Sequence, residues 1–260
     1  MLGINLSHIF LLLPLLANGA ATKHSGPEKP VPVSVEHFEG VIDLTVAMES
    51  GNGDLTLSLS GDMAKLDMQI TINPFPEPIR LAVLMNAKTP KSAYLISDRT
   101  KTYSVIILPD PEKLKKDGAK EAKYKAKVLG EEKILGFVCS HVILSRDREL
   151  IDTWITKDIP DVYGVLKRLQ DANPQIGEAA LFRALEETGN VGLPMRCIVI
   201  RDGQRVTTEV RKVERKVLPS SLFAIPTDYA RTEGGAVETQ PTPAQIDDMK
   251  RRLQGAGASH

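Results

Sequence analysis

The stretch that decides the fold runs from Phe38 to Ile72 and reads FEGVIDLTVAMESGNGDLTLSLSGDMAKLDMQITI. Its apolar residues recur at every second position in three runs, Ile42 to Met48, Leu55 to Leu59 and Ala64 to Ile72. Side chains alternate between the two faces of a strand, so each run predicts a strand with one buried face. The breaks at Gly51-Asn52-Gly53 and Ser60-Gly61-Asp62 predict tight turns. The stretch therefore predicts a three-stranded antiparallel meander.

Seven further apolar runs extend this pattern along the chain. They cover Ile79 to Ala87, Ala93 to Ser97, Tyr103 to Leu108, Lys133 to Ser145, Leu150 to Lys157, Pro194 to Arg201 and Gln204 to Glu214. Asp202-Gly203 joins the last two runs and is the strongest hairpin signal in the chain, because Gly accepts the positive φ that a two-residue turn requires. We therefore predict about ten antiparallel strands.

A helical insertion separates the eighth and ninth predicted strands. Asp161 is a suitable N-cap for a first helix. The apolar residues at helical spacing after it are Val162, Val165, Leu166 and Leu169. Asn173-Pro174 begins a second helix, which ends at Gly189. Strands and helical pair together predict an α+β fold, a large curved antiparallel sheet with the helices covering its concave face.

The two ends of the chain differ in composition from its body. Ile9 to Ala17 is an apolar run, and as a helix it would be about 14 Å long, too short for a bilayer core of about 30 Å. Small residues follow, so we expect residues 1–21 to be a secretory signal peptide. The alternative, a buried N-terminal helix, conflicts with Pro14. We expect no transmembrane segment after removal of this signal.

Between the signal and the end of the chain we expect three parts. Residues 22–33 have the composition of an extended linker. Residues 34–231 have a length that suits one domain. Residues 232–260 form a tail in which Thr242-Pro243 begins one short helix.

The composition excludes several classes of function. The chain has 260 residues, with 33 Lys and Arg against 33 Asp and Glu, so its formal net charge is zero and we expect no nucleic-acid partner. Hydrophobic residues make up 42% and charged residues 25%, which are ordinary globular values that argue against a disordered chain. Two cysteines and five histidines are too few and too scattered for a zinc module, so we expect no metal and no cofactor.

The sequence motifs do not combine into a recognisable catalytic site. Gly51-Asn52-Gly53 lacks the strand–turn–helix context of a phosphate-binding loop. His37 and His141 have no second histidine beside them at ligand spacing, and Ser220-Ser221 has no identifiable base. We therefore expect that the protein is not an enzyme and has no catalytic residues.

The segment from Asp110 to Lys127 carries seven lysines against four acidic residues, a net charge of +3. Two interpretations stay open. The segment is either a loop that contacts anionic lipid headgroups or an acidic partner, or a solubilising loop that is helical in part.

Cys139 and Cys197 lie on predicted strands on either side of the helical insertion. In an oxidising compartment they have the opportunity to pair, and closing the loop between them would stabilise the fold by up to about 4 kcal/mol. The alternative is a pair of small buried thiols on different faces. A disulfide is therefore one of two possibilities.

Two stretches resemble a family of bacterial exported domains of unknown function. KILGFVC at Lys133 to Cys139 and IDTWITKD at Ile151 to Asp158 resemble the family's K-x-L-G-Y-x-C strand and its strand ending W-x-T-K-D. Gly192-Leu193-Pro194, SLFAIP at Ser221 to Pro226 and then Tyr229 resemble its closing G-x-P hairpin and S-L-F-x-I-P-x-x-Y pattern. The resemblance covers most of the chain, from residue 38 to residue 229.

The resemblance implies a fold and a surface, but no catalytic residue. The family is similar in architecture to the outer-membrane lipoprotein carriers, whose curved antiparallel sheet forms a half-barrel plugged by helices. The implied concave apolar surface would receive an acyl chain or another apolar group. The candidate lining residues are Ile42, Leu44, Val46, Leu57, Leu66, Met68, Ile70, Val83, Met85 and Trp154. Each of them also admits the simpler interpretation that it packs against the helices.

These observations predict a periplasmic or secreted, non-catalytic module that binds or carries a lipid, a lipidated protein or another apolar ligand. The alternative is an envelope signalling or scaffold module that acts through contacts with an envelope protein. The second class needs a protein partner and no bound lipid, so the two are separable by experiment.

Overall fold

The described part of the chain forms one twelve-stranded sheet. The structure is a computed structural model and describes residues 38–73, 77–89, 92–107, 123–159, 162, 163, 165 and 184–233. Its strands are β1 (Gly40–Met48), β2 (Gly51–Ser60), β3 (Met63–Ile72), β4 (Ile79–Asn86), β5 (Ser92–Ser97), β6 (Thr102–Ile107), β7 (Lys125–Ile134), β8 (Phe137–Arg146), β9 (Glu149–Thr156), β10 (Leu193–Arg201), β11 (Gln204–Arg215) and β12 (Ala230–Thr232). A 3₁₀ helix at Ser220–Phe223 lies between β11 and β12.

Two meanders make up the sheet. The strand order is β12-β6-β5-β4-β3-β2-β1-β11-β10-β9-β8-β7, so β1 and β11 join the meander of β1 to β6 to that of β7 to β11. All pairs are antiparallel except that of β12 with β6. The sheet is curved and does not close, and β7 and β12 are its edges. The prediction of a large, curved antiparallel sheet is therefore confirmed, except that the described residues form twelve strands rather than about ten and that β12 pairs in parallel.

One face of the sheet is apolar. Ile42, Leu57, Leu66 and Val83 lie in register across β1 to β4, and each side chain is at most 1% exposed. Residues that are paired across strands share a face. We call the face that carries this row the apolar face, and the other one the opposite face.

The C-terminal strap, residues 216–230, covers part of the opposite face. Its Leu218 and Phe223 pack in a hydrophobic cluster with Ala82 and Leu84 of β4 and Ile96 of β5. The apolar residues of the SLFAIP motif thus bury a patch that would otherwise be exposed to water. The strap carries the chain from β11 to the far edge of the sheet.

Polar contacts fix the end of the strap beside β6. The Lys101 Nζ lies 2.8 Å from the Asp228 Oδ2, and the Tyr229 hydroxyl donates to Asp98 Oδ1 at 2.8 Å. The backbone N–H of Ala230 donates to the Lys101 carbonyl at 2.9 Å. These contacts place β12 in its parallel pairing with β6.

The single strand that we predicted from Lys133 to Ser145 is two strands. A turn at Leu135-Gly136, where φ is 50° and 87°, separates β7 from β8. The strand β7 begins at Lys125, inside the lysine-rich segment that we expected to be a loop. All its residues except Ile134 are exposed, so it has no buried face and no apolar alternation to reveal it.

Gly51-Asn52-Gly53, predicted as a turn, belongs to β2, and the turn lies at Glu49-Ser50. The absence of a side chain at Gly51 allows its backbone to lie close to the backbone of β3. A Cβ on Gly51 would lie 1.9 Å from the Thr71 carbonyl oxygen of β3. A side chain there would push the two backbones apart.

Several expectations concern residues outside the described ranges. They include the signal peptide, the linker, the tail helix and most of the predicted helical pair. Of that pair, residues 162, 163, 165 and 184–187 are described, and they are helical. Helices that cover the concave face therefore stay a prediction. Within the described ranges, no helix is long and apolar enough to cross a bilayer.

Candidate functional site

Nine of the ten predicted lining residues lie together on the apolar face. They are linked by register pairs across four neighbouring strands, and they are Ile42, Leu44, Val46, Leu57, Leu66, Met68, Ile70, Val83 and Met85. Leu44 is half-buried, and the other eight are at most 4% exposed. Contact of these side chains with a ligand stays a prediction.

The apolar face combines small and flexible side chains. Ala64, Met85 and Ala93 lie in one row across β3, β4 and β5. The thioether of Met85 is flexible, and both of its register neighbours are small alanine side chains. Such a row can adjust its shape to an alkyl chain more easily than a row of β-branched residues.

Described residues of the helical insertion belong to the same hydrophobic cluster as the apolar face. They come from both ends of the insertion and are Val162, Tyr163, Val165, Ala184 and Leu185. The Tyr163 hydroxyl donates to Glu186 Oε1 at 3.2 Å, which connects the two ends. Because eight of the nine side chains are at most 4% exposed, a ligand that reaches the apolar face must displace side chains of the protein itself.

The tenth candidate, Trp154, lies on the opposite face. In β9 it stands between Thr153 and Ile155, whose side chains point to the apolar face. It is paired with His141 of β8 and stacks on it, with ring centroids 4.1 Å apart and an interplanar angle of 12°. The structure therefore corrects the expectation that Trp154 lines the same surface as the other nine, because alternation along β9 assigns that face to its neighbours.

Polar groups surround the Trp154 side chain. Its indole N–H donates to Glu132 Oε2 at 2.8 Å, and the Arg196 guanidinium carbon lies 5.3 Å from the ring centroid. His141 Nε2 lies 2.5 Å from Asp152 Oδ1. These contacts join four strands, β7 to β10. Since the polar groups are used in cross-strand contacts, we interpret this cluster as one that holds the sheet together.

A second polar cluster surrounds Glu149, the first residue of β9. This side chain is buried, and its carboxylate lies 3.0 Å from Arg146 Nη2 and 2.9 Å from Arg201 Nε. The Tyr124 hydroxyl donates to the same carboxylate at 2.5 Å. Burial, and then the adjacent carboxylate, raise the pKa of Tyr124. The cluster ties the start of β7 to the hairpins β8–β9 and β10–β11.

The two cysteines do not form the disulfide that we considered. Both thiols are free and buried. Cys139 on β8 pairs with Thr156, Cys197 on β10 pairs with Thr153, and β9 lies between them. Two strand spacings separate the Cα atoms by at least about 10 Å, whereas a disulfide needs less than about 7 Å. Burial raises the pKa of both thiols, so both are held in the protonated form.

Two buried serine hydroxyls lie on the apolar face, that of Ser97 on β5 and that of Ser104 on β6. The sequence pattern did not indicate them. Ser104 is paired with Leu95, and Ser97 with Thr102. Ser97 and Ser104 are buried, at 4% and 2% exposure. Ser97 Oγ accepts from the Thr100 N–H at 3.5 Å, but Ser104 Oγ has no hydrogen-bond partner among the described residues. Serine at a strand position usually indicates the exposed face, which is why the pattern pointed away from them.

The described residues contain no group of three or more His, Cys, Asp or Glu side chains that could hold a metal ion. The expectations that the protein has no cofactor and is not an enzyme stay predictions.

Several solved structures are similar to the chain at low sequence identity. An uncharacterised conserved protein from Thermus thermophilus is 9% identical, with 75% of this chain and 90% of that chain covered and a TM-score of 0.43. MucB is 9% identical, with 73% and 58% covered and a TM-score of 0.36. A domain assigned to outer membrane lipoprotein sorting, from Vibrio parahaemolyticus, is 11% identical, with 72% and 90% covered and a TM-score of 0.32.

The family resemblance that the motifs indicated is confirmed. Among curated proteins none matches the sequence. The family DUF4412, a domain of unknown function, matches residues 38–229, which are the residues covered by the resemblance. This stretch contains both the strand motifs around Cys139 and Trp154 and the closing motif of the C-terminal strap. The chain therefore belongs to the DUF4412 family.

Proposed function

We propose that this protein is an exported, non-catalytic module that binds an apolar ligand on the apolar face of its sheet. The observation that carries the proposal is the continuous apolar surface of nine side chains across β1 to β4, on a sheet that does not close. The apolar run from Ile9 to Ala17 supports export to the periplasm or the exterior.

The energetics favour a ligand with an alkyl chain. Burying one methylene stabilises a complex by about 0.8 kcal/mol, so a chain of about twelve carbons gains roughly 10 kcal/mol before costs. Loss of ligand freedom and displacement of the side chains now in the cluster reduce this gain. Micromolar binding needs about 8 kcal/mol net, so we expect chains of about twelve carbons or more, as in a lipid or a lipidated protein.

The direct test is to isolate the protein from the envelope of expressing cells without detergent and to analyse it by native and denaturing mass spectrometry. We expect a stoichiometric amphiphile that is released on denaturation and exchanges with added lipid. Repeated isolation without any bound or exchangeable amphiphile would contradict the proposal.

A pair of variants locates the ligand. Met85→Phe adds volume on the apolar face. Met63→Phe adds volume on the opposite face, against the hydrophobic cluster that the C-terminal strap forms with β4 and β5, which we call the opposite-face cluster. Overpacking of this kind costs about 1–3 kcal/mol, so both variants should fold, which circular dichroism checks. We expect M85F to lose ligand and M63F to keep it. Equal occupancy in both would place the ligand elsewhere.

An exposed edge strand favours a second candidate function, a module that binds another protein. The ten-residue strand β7 forms one edge of the sheet, and its Val128 and Leu129 are 50% and 44% exposed. An extended segment of another protein can pair with such an edge strand. A Val128→Lys variant that loses a stoichiometric envelope protein in pull-down, while wild type carries no lipid, would favour this candidate over ligand binding.

A further inference from the structure

The hydroxyl of Ser104 is buried on the apolar face with no partner for its hydrogen bonds among the described residues. The side chain is 2% exposed, and its Oγ contacts no donor or acceptor in that part of the chain. Its register partner Leu95 belongs to the same hydrophobic cluster as Leu66 and Val83. A buried hydroxyl without a hydrogen bond destabilises a protein, so its retention needs an explanation.

The side chains around Ser104 determine which kind of ligand group could form a hydrogen bond with its hydroxyl. Within β4, β5, β6 and β12, the apolar face carries no charged side chain, since Arg80 and Arg231 are paired with residues of the opposite face. A carboxylate or phosphate buried there would find no counter-charge on these four strands, and burying an unpaired charge is costly. An uncharged acceptor beside an alkyl chain fits both the hydroxyl and the apolar residues next to it.

We infer that Ser104 is the polar anchor of the ligand site and donates a hydrogen bond to the carbonyl oxygen of an acyl ester. The alkyl chain of that ester lies along the apolar face, past Leu95 and Val83 toward β1. The inference rests on the proposed function and deepens it, because it specifies the polar group of the ligand and the end of the site where that group lies.

The test compares two probes that differ at one group. Monolauroylglycerol carries an ester carbonyl, and dodecylglycerol carries an ether in its place. Titration calorimetry is done on the full chain after bound lipid has been removed, for wild type, Ser104→Ala and Ser58→Ala. Ser58 is the matched control, because it is also 2% exposed but lies on the opposite face.

We expect wild type and S58A to bind the ester about fivefold more tightly than the ether, as one neutral hydrogen bond would give. S104A should bind both probes equally and at the affinity that wild type has for the ether. An ester preference that persists in S104A would overturn the inference while leaving the proposed function intact. Failure of wild type to bind either probe would contradict the proposed function itself.

A measurement without ligand tests the same point independently. If the Ser104 hydroxyl has no partner in the free protein, S104A removes a buried polar group and should raise the melting temperature by about 2–4 °C. A lower melting temperature would show that the protein already satisfies this hydroxyl, and would overturn the inference.

A third probe distinguishes the two sources of an acyl ester. A peptide with an N-terminal diacylglyceryl-cysteine represents a lipidated protein, and monolauroylglycerol represents a free lipid. One of these two probes will bind wild type more tightly, and S104A should bind that probe more weakly than wild type does. An unchanged affinity for both would overturn the inference.

Discussion

Gly51 shows how one residue without a side chain permits a strand pair. The sequence places it in a glycine-rich stretch that favours a turn, yet it lies within β2 against the backbone of β3. The clash that any Cβ would make with the Thr71 carbonyl is a property of the tertiary structure, so no local pattern could reveal it. The same holds for Trp154 and Glu149, whose partners come from other strands.

Replacing Gly51 by Ala should lower the free energy of unfolding by about 2 kcal/mol, because the two backbones must separate to admit the new methyl group. Urea denaturation of the purified domain measures this change. Asn52→Ala is the control, since Asn52 is exposed and its replacement should change the free energy by less than about 0.5 kcal/mol. Equal effects of the two changes would contradict the close approach.

Tyr124 gives the protein a pH-dependent contribution to stability at alkaline pH. Its pKa is raised above the ordinary value of 10.0 by burial and by Glu149, so the folded protein holds the proton more tightly than the unfolded chain does. The contribution is therefore complete below about pH 10 and is lost as the pH rises toward the folded pKa.

We expect Tyr124→Phe to be less stable than wild type at about pH 8, with a difference that shrinks as the pH rises from about 10 to about 11. Urea denaturation at each pH measures both proteins. A difference that stays constant or grows with pH would mean that Tyr124 does not titrate as its burial requires.

At the scale of elements, the C-terminal strap stabilises the opposite face. Its motif SLFAIP was recognisable by resemblance alone, and neither periodicity nor turn signals indicated where it packs. The strand β7 was missed for a related reason, because it is exposed and pairs only with β8. Elements with a buried face and a regular period, such as β1 to β3, were predictable from the sequence.

Phe223→Ala should destabilise the protein by about 3 kcal/mol, because it removes a ring that is 7% exposed and packs against β4 and β5. Thermal denaturation measures the loss. Val217 in the same strap is 87% exposed, so Val217→Ala should leave the melting temperature within about 2 °C of wild type. A small effect of F223A would show that the strap is not part of the core.

At the scale of the whole molecule, the buried hydrophobic side chains of the described residues form two clusters. Alternation along β1 to β4 was enough to predict which nine side chains share a surface. It could not indicate how deeply these side chains are buried, because burial depends on contacts with parts of the chain that are distant in sequence. Binding on the apolar face therefore requires that a ligand replace contacts that the protein makes with itself.

The methionines allow this requirement to be measured in one experiment. Met68 and Met85 lie on the apolar face, and Met63 packs against the opposite-face cluster. With the methionine methyl groups labelled by carbon-13, the full chain is titrated with monolauroylglycerol and followed by NMR. We predict saturable shifts of the Met68 and Met85 methyl signals and an unchanged Met63 signal. Shifts confined to Met63, or no shift at a saturating concentration of the probe, would contradict ligand binding on the apolar face.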